Sequence, residues 1–309
     1  MRRVRISFKT VMNSSEKGIA LVLVLVIMAL MTAMVVEFVS ATYTANAALS
    51  NWSQAQRLSL VARSGIALLE KFMSDQYNRY SYTYPGTVER PVANILDKFE
   101  GTLVIKVDDE NARFNLNSLV LPNGTLNTTS YETFTRLLRH LKLDEQIADR
   151  ISDWIDPDQE PRQGDTEEGA KNAYMNSMDE IRLIVDEESC KKLLPFVTVY
   201  GTDTVYANII NINTAPLPVL MALDDALTME LAQRIEHFRS IEPFKKPSDI
   251  VKVSGFEGPL GQSLMGRIVV KASTLRITSV AAENRITRII ECVAEMKGGR
   301  FVIRYWQET

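Results

Sequence analysis

EKGIALVLVLVIMALMTAMVVEF, residues 16–38, is the stretch from which the rest of the chain has to be read. Between Ile19 and Val36 it contains no charge, no glycine and no proline. A helix over those residues spans ~27 Å, close to the ~30 Å hydrocarbon core of a bilayer. The apolar core of a secretory leader is shorter, ~7–15 residues, and is followed by an A-x-A-type cleavage site, which the small residues Ser40, Ala41 and Thr42 imitate here. Here the helical pattern continues, with no Gly or Pro before Gly65. Leu58, Ala62, Gly65, Ile66, Leu69, Phe72 and Met73 fall on one helix face, with Arg57, Arg63, Glu70 and Lys71 largely off it. The spacing predicts one helix from about Ile19 to Asp75, on the order of 85 Å long. A break in the polar stretch Thr42–Ser53 is the competing reading.

Charge sets the run apart. Residues 1–18 carry Arg2, Arg3, Arg5, Lys9 and Lys17 against Glu16, a net +4, while the whole 309-residue chain carries −3, leaving −7 for the body. A basic start ahead of an apolar span favours a cytoplasmic N-terminus. The acidic body argues against sequence-independent nucleic-acid binding, which phosphate neutralisation dominates. The two cysteines, Cys190 and Cys292, have neither CxxC nor metal-ligand spacing. His140 and His237 are the only histidines and belong to no nucleophile constellation. GxSxG, HExxH and P-loop motifs are absent, so no enzymatic activity is expected.

Beyond the helix, Asp75–Pro91 is tyrosine-rich and irregular, and its tyrosines suit an interface or a simple ordered loop equally. Gly101–Val107 alternates as a strand, and Asn115 to about Gly266 reads as mostly helical. Strand patterns return in TLRITSVAA, RITRIIECVAEM and RFVIRYWQE, the last two separated by Lys297-Gly298-Gly299, a good hairpin turn. The simplest arrangement is α+β: a long N-terminal helix packed on a small antiparallel sheet, with a large helical domain inserted. The corresponding divisions are a leader (1–18), helix and first strand (19–110), the inserted helical domain (111–270) and the closing strands (271–309). Ile286, Ile290, Cys292, Ala294 and Met296 share one strand face, with Ile289 and Val293 on the other. Cys292 is expected to face the long helix, which argues against a bond to Cys190.

A basic leader, Lys17-Gly18, and an uninterrupted apolar helix opening at Ile19 together resemble a class III prepilin signal. The resemblance implies cleavage after Gly18 by prepilin peptidase and methylation of the new N-terminus, Ile19. Pilins and most pseudopilins carry Glu at the fifth mature position, where this chain has Leu23. A carboxylate there is costly unless paired with the N-terminus of the subunit above, so an apolar residue suits a subunit with nothing above it. ARFNLNSL (112–119), DWID (153–156) with PRQG (161–164), DEIRLI (179–184), LLPFVTVYG (193–201) and NINTAPLPVL (211–220) occur in order. With Leu23 they resemble the K-type minor pseudopilins of type II secretion systems. That family implies a pilin-like fold with an inserted helical domain, an inner-membrane anchor with a periplasmic body, and a place at the tip of a pseudopilus. The implied partners are I-type and J-type minor pseudopilins, other pseudopilins, prepilin peptidase and inner-membrane lipid, with no nucleic acid. A minor pilin of a type IV pilus or competence system shares every helix argument.

Two segments invite chemistry. The segment from NINTAPLPVL to Ile250 resembles a helix-hairpin-helix or SAM-like unit, with Thr214 expected as an N-cap. A membrane-anchored DNA-binding protein is the alternative this raises. Its turn, Leu223-Asp224-Asp225-Ala226, has two carboxylates and no glycine, which would repel phosphate. The second segment is the acidic run of Asp153, Asp156, Asp158, Glu160, Asp165, Glu167 and Glu168. Asp156, Asp158, Glu160 and Glu167 keep the stride of a calcium loop, but Pro161 stands where an EF-hand needs Gly. Calcium in this domain is implied by the resemblance, with Asp156, Asp158, Asp165, Glu167 and Glu168 as the candidate ligands. A solvated acidic loop is the other reading. No cofactor is required by either.

Overall fold

The computed structural model describes residues 14–79, 81–83, 88–91, 99, 101–158, 160–162, 169–201 and 209–309. Helix α1 runs without interruption from Ser14 to Arg79. The expected weak point does not break it. The hydroxyls of Thr32, Thr42 and Thr44 donate to the carbonyls of Met28, Phe38 and Ser40 at 2.8, 2.8 and 2.9 Å, so each satisfies its polarity within the helix. The chain divides into two units, Met1–Arg57 and Leu58–Thr309. In the first, the described apolar side chains from Ile19 to Val39 are exposed, a surface that water does not stabilise. By length and composition Gly18–Met73 can cross a membrane.

The second unit is built on a five-stranded antiparallel sheet. Its strands are β1 (Val88–Pro91), β2 (Thr102–Asp109), β7 (Thr274–Glu283), β8 (Ile286–Lys297) and β9 (Arg300–Glu308). They lie side by side in the order β1-β2-β7-β8-β9. Gly298 and Gly299 take φ of 59° and 78° in the β8–β9 turn, the double positive φ of the favoured two-residue hairpin. One sheet face packs on α1. Leu58, Ala62 and Ile66 meet Leu103, Ile105, Ile277, Ile290, Cys292 and Ala294 in a single apolar cluster. Phe72, expected in that stripe, is instead 59% exposed. At ~100° per residue it lies on the flank of the face centred on Ala62 and Leu69. Cys190 and Cys292 are both buried and free, in separate clusters.

The chain leaves the sheet at Asp109 and returns at Thr274, the register partner region of β2 and β7. Between them lie β3 (Phe114–Asn115), α2 (Thr128–His140), α3 (Ile147–Ile155), α4 (Glu187–Leu193) and β4 (Val197–Thr198). Then come β5 (Ile210–Asn211), α5 (Leu217–Ala222), α6 (Met229–Ile241), α7 (Pro259–Leu264) and β6 (Ile268–Val269). The region uses one closure device twice. A two-residue strand at its start pairs in parallel with one at its end: β3 with β4, then β5 with β6. Each opens on Asn-x-Asn, and the second Asn of each is buried and bonds to distant backbone. Asn117 Nδ2 donates to the carbonyls of Met175 and Val199, both at 2.9 Å. Asn213 Nδ2 donates to those of Phe244 and Val270, at 2.9 and 3.2 Å. The helices pack on one core that also takes in Val293 from the far face of β8.

Candidate functional site

Helix α3 places Asp149, Asp153 and the C-cap Asp156 four and three residues apart, a spacing that keeps carboxylates on one side. Asp153 and Asp156 are 7% and 0% exposed. Arg162 closes over both. Its backbone N–H donates to Asp153 Oδ2 at 3.1 Å, its Nε lies 3.2 Å from Asp153 Oδ1, and its Nη2 donates to Asp156 Oδ2. Even so, Asp153 Oδ1, Asp156 Oδ1 and the nearby Asn172 Oδ1 are buried with no hydrogen-bond partner. Burial pushes both carboxyls above the usual carboxylate range despite the guanidinium. Buried anions and unfilled oxygens of this kind suit a hard cation with oxygen ligands.

The loop's far side is held independently. Asn172 sits at φ 53° and donates from Nδ2 to the Asp158 carbonyl at 2.5 Å, and its N–H reaches the Trp154 carbonyl at 3.0 Å. Glu180 accepts from Lys171, Trp154 Nε1 and the Asn176 N–H. Burial raises the Glu180 carboxyl, but those donors outweigh it and hold it below its ordinary range.

Of the candidate ligands, Asp156 lies at the centre of this cluster. Asp158 is exposed and accepts from the Glu160 N–H at 3.0 Å. Asp165, Glu167 and Glu168 lie outside the described residues. The structure adds Asp153 and Asn172. Asp153 stood in the acidic run but off the calcium-loop stride, and only the α3 spacing could have singled it out. Among the described residues no three carboxylate, His or Cys side chains converge into a full metal shell. Asp153, Asp156 and Asn172 each carry an unpartnered buried oxygen, the donor type a hard cation takes.

A second polar cluster joins the sheet to the helical region. Glu110, fully buried just after β2, accepts from Arg113 and Thr198 and from Arg276 Nε at 2.6 Å. Arg276 also pairs with Glu291 and lies 5.7 Å from the Tyr200 ring centroid. Next to it, Asp109 Oδ2 accepts from Asn211 Nδ2 at 2.7 Å and Thr214 Oγ1 at 2.6 Å. Thr214 is thus not the expected N-cap, because Pro216 caps α5 and the hydroxyl serves Asp109. Burial pushes the Asp109 carboxyl up to about 6 against these donors.

The hairpin-like unit is arranged for packing. Arg136 Nε donates to the Ala222 carbonyl at 2.9 Å and pairs with Asp225 at 3.1 Å, while Arg267 donates to the Leu223 carbonyl. A glycine turn does occur later in the chain, past the acidic turn at 223–226. Gly255 has φ 99°, and its N–H donates at 2.8 Å to Glu257 Oε2, so a carboxylate already occupies the amide a phosphate would seek. At the other end of the chain, Gly18, Ile19 and Leu23 lie on α1, with Ile19 and Leu23 70% and 60% exposed. Residues 1–13 of the expected leader lie outside the described residues.

Models of the type II secretion system protein K family match residues 112–202 and 210–271, the two halves closed by β3–β4 and β5–β6. The chain is 28% identical over 267 residues to the type II secretion system protein K of Pseudomonas aeruginosa, covering 78% of each. It is 26% identical over 254 residues to that of Klebsiella pneumoniae, covering 74% of this chain and 77% of the relative. A crystal structure of the GspK-GspI-GspJ complex from the type 2 secretion system of enterotoxigenic Escherichia coli matches with a TM-score of 0.65 at 18% identity, over 85% of this chain and 98% of that one.

Proposed function

The chain belongs to the type II secretion system protein K family of minor pseudopilins, and we propose that it forms the tip of a pseudopilus that exports folded proteins across the outer membrane. Leu23 is the observation that carries the tip reading. It stands in an uncharged, exposed stretch of α1 at the position where a pilin carries Glu. A subunit with no neighbour above has no partner for that carboxylate, and the unpaired charge would cost several kcal/mol in an apolar surrounding. Prepilin peptidase removes residues 1–18 and methylates Ile19. The apolar part of α1 holds the protein in the inner membrane and later packs on partner helices. The N-terminus is cytoplasmic and the body periplasmic.

The partners are I-type and J-type minor pseudopilins, which the complex matched in fold supports. Residues 111–270, as the inserted helical domain, form the bulk that prevents further addition of subunits. The protein has no catalytic role. The acidic loop holds calcium through Asp153, Asp156 and Asn172. Mass spectrometry of the protein recovered from membranes tests the scheme. A mature N-terminus at methylated Ile19, lost in Gly18→Ala, is expected. A start near Ala41 or an intact Met1 would sink it.

A further inference from the structure

Arg162 is the cation already present in the acidic loop. It touches Asp153 through its backbone N–H and its Nε, and Asp156 through Nη2. A guanidinium is a planar fork with fixed donor directions. It leaves one oxygen on each carboxylate, Asp153 Oδ1 and Asp156 Oδ1, without a hydrogen bond, together with Asn172 Oδ1. Two buried carboxylates share one positive charge, so the pair retains a net negative charge. A spherical divalent ion would gather such oxygens at ~2.3–2.6 Å from any direction.

The two cations would meet at Asp153 Oδ1, the one of these oxygens that the guanidinium also approaches. Arg162 Nε is 3.2 Å from Asp153 Oδ1, so an ion on that oxygen would lie within ~6 Å of the guanidinium. Like charges that close in a buried site repel strongly. Arg162 is able to leave, because its side chain is 27% exposed and that of Asp156 only 1%. Lys171, another nearby cation, is committed to Glu180 by two bonds of 2.9 and 3.0 Å. The geometry points to Arg162 as a built-in competitor for the metal: it holds Asp153 and Asp156 together in the absence of calcium and is displaced when calcium enters. This rests on the reading of the loop as a calcium site. Its consequence is that Asp153 and Asp156 stay joined without metal and bind calcium more weakly than the two carboxylates alone would.

The test is calorimetric titration of the full chain in detergent with calcium chloride, alongside thermal unfolding with and without chelator. Arg162→Gln should bind calcium at least tenfold more tightly than the parent. It should unfold at lower temperature in chelator and recover when calcium is added. Arg162→Lys, which keeps the charge but not the fork, should fall between. Arg150→Gln removes a nearby exposed positive charge and should change the affinity less than twofold. Equal or weaker calcium binding in Arg162→Gln, or an equal gain in Arg150→Gln, overturns the role of Arg162 while leaving the metal site standing. Absence of calcium binding in every variant overturns both. If Arg162→Gln does not fold in chelator, refolding it in calcium and the Arg162→Lys titration decide the matter.

Discussion

Ser279 of β7 and Ala62 of α1 are joined by a hydrogen bond, the serine hydroxyl donating to the helix carbonyl at 2.9 Å. So short a link needs the helix backbone close to the sheet, and Gly65, one turn on, makes room for it. A Cβ at Gly65 would meet Leu103 Cδ2 and Ser279 Oγ at 3.1 Å and Ile105 Cδ1 at 3.2 Å.

Substitutions at Gly65 should therefore separate helix propensity from crowding. Gly65→Ala gains about 1 kcal/mol of propensity and loses a comparable amount to the tight contacts, so stability stays within about 1 kcal/mol of the parent. Gly65→Leu overpacks the seam and should cost about 1–3 kcal/mol. Denaturant unfolding of the full chain in detergent gives both numbers, and a stabilised Gly65→Leu would show that the seam is loose.

Asn213 is the stitch of the second half. Its Oδ1 accepts from the Phe244 N–H at 2.8 Å, and its Nδ2 feeds the Phe244 and Val270 carbonyls. Asn213→Ala strands the buried N–H and carbonyl of Phe244, each worth about 1–3 kcal/mol when unsatisfied, while the Val270 carbonyl keeps the Thr83 N–H at 2.7 Å, so a loss of a few kcal/mol is expected. Asn117→Ala should behave alike, since Asn117 bonds Met175 on both its carbonyl and N–H. Hydrogen exchange should report the loosening near Phe244 and Val270 in one variant and near Met175 and Val199 in the other.

Arg276→Met removes a main partner of fully buried Glu110. Breaking a buried pair typically costs about 3–5 kcal/mol, and Arg113 should hold the loss toward the lower figure. Adding Glu110→Gln removes the stranded charge and should restore part of the stability. A double variant no better than Arg276→Met would mean that the charge is not what destabilises.

Asp109 makes stability fall with rising pH. Its carboxyl titrates at about 6 in the folded chain against an ordinary 3.8, so between these values the folded state keeps a proton the unfolded chain has lost. Unfolding free energy should drop as pH rises from about 4 to about 6, then level off. The raised Asp153 and Asp156 carboxyls act in the same direction. Comparing the slope with that of Asp109→Asn isolates the Asp109 share, and identical slopes would remove it.

Leu23→Glu restores the residue pilins carry. In a tip subunit it leaves an unpaired carboxylate in apolar surroundings, so complex recovered with the I- and J-type partners and secretion should both fall several-fold. Processing after Gly18 should continue. Unchanged assembly would place the subunit below another one.

Period and charge alone carried much of the architecture. The apolar run from Ile19, the stripe from Leu58 to Met73 and the alternation of the last three strands are local patterns, and local sterics and burial translate them directly into elements. The order of motifs from ARFNLNSL to NINTAPLPVL led to the family. What the sequence could not contain is which polar groups meet. Asp109 finds Thr214 and Glu110 finds Arg276 because the chain folds back across 105 and 166 positions. Thr214 looked like a cap by its neighbours and became a partner by its surroundings. A buried carboxylate takes whatever donor the packing brings to it, and packing is a property of the whole fold.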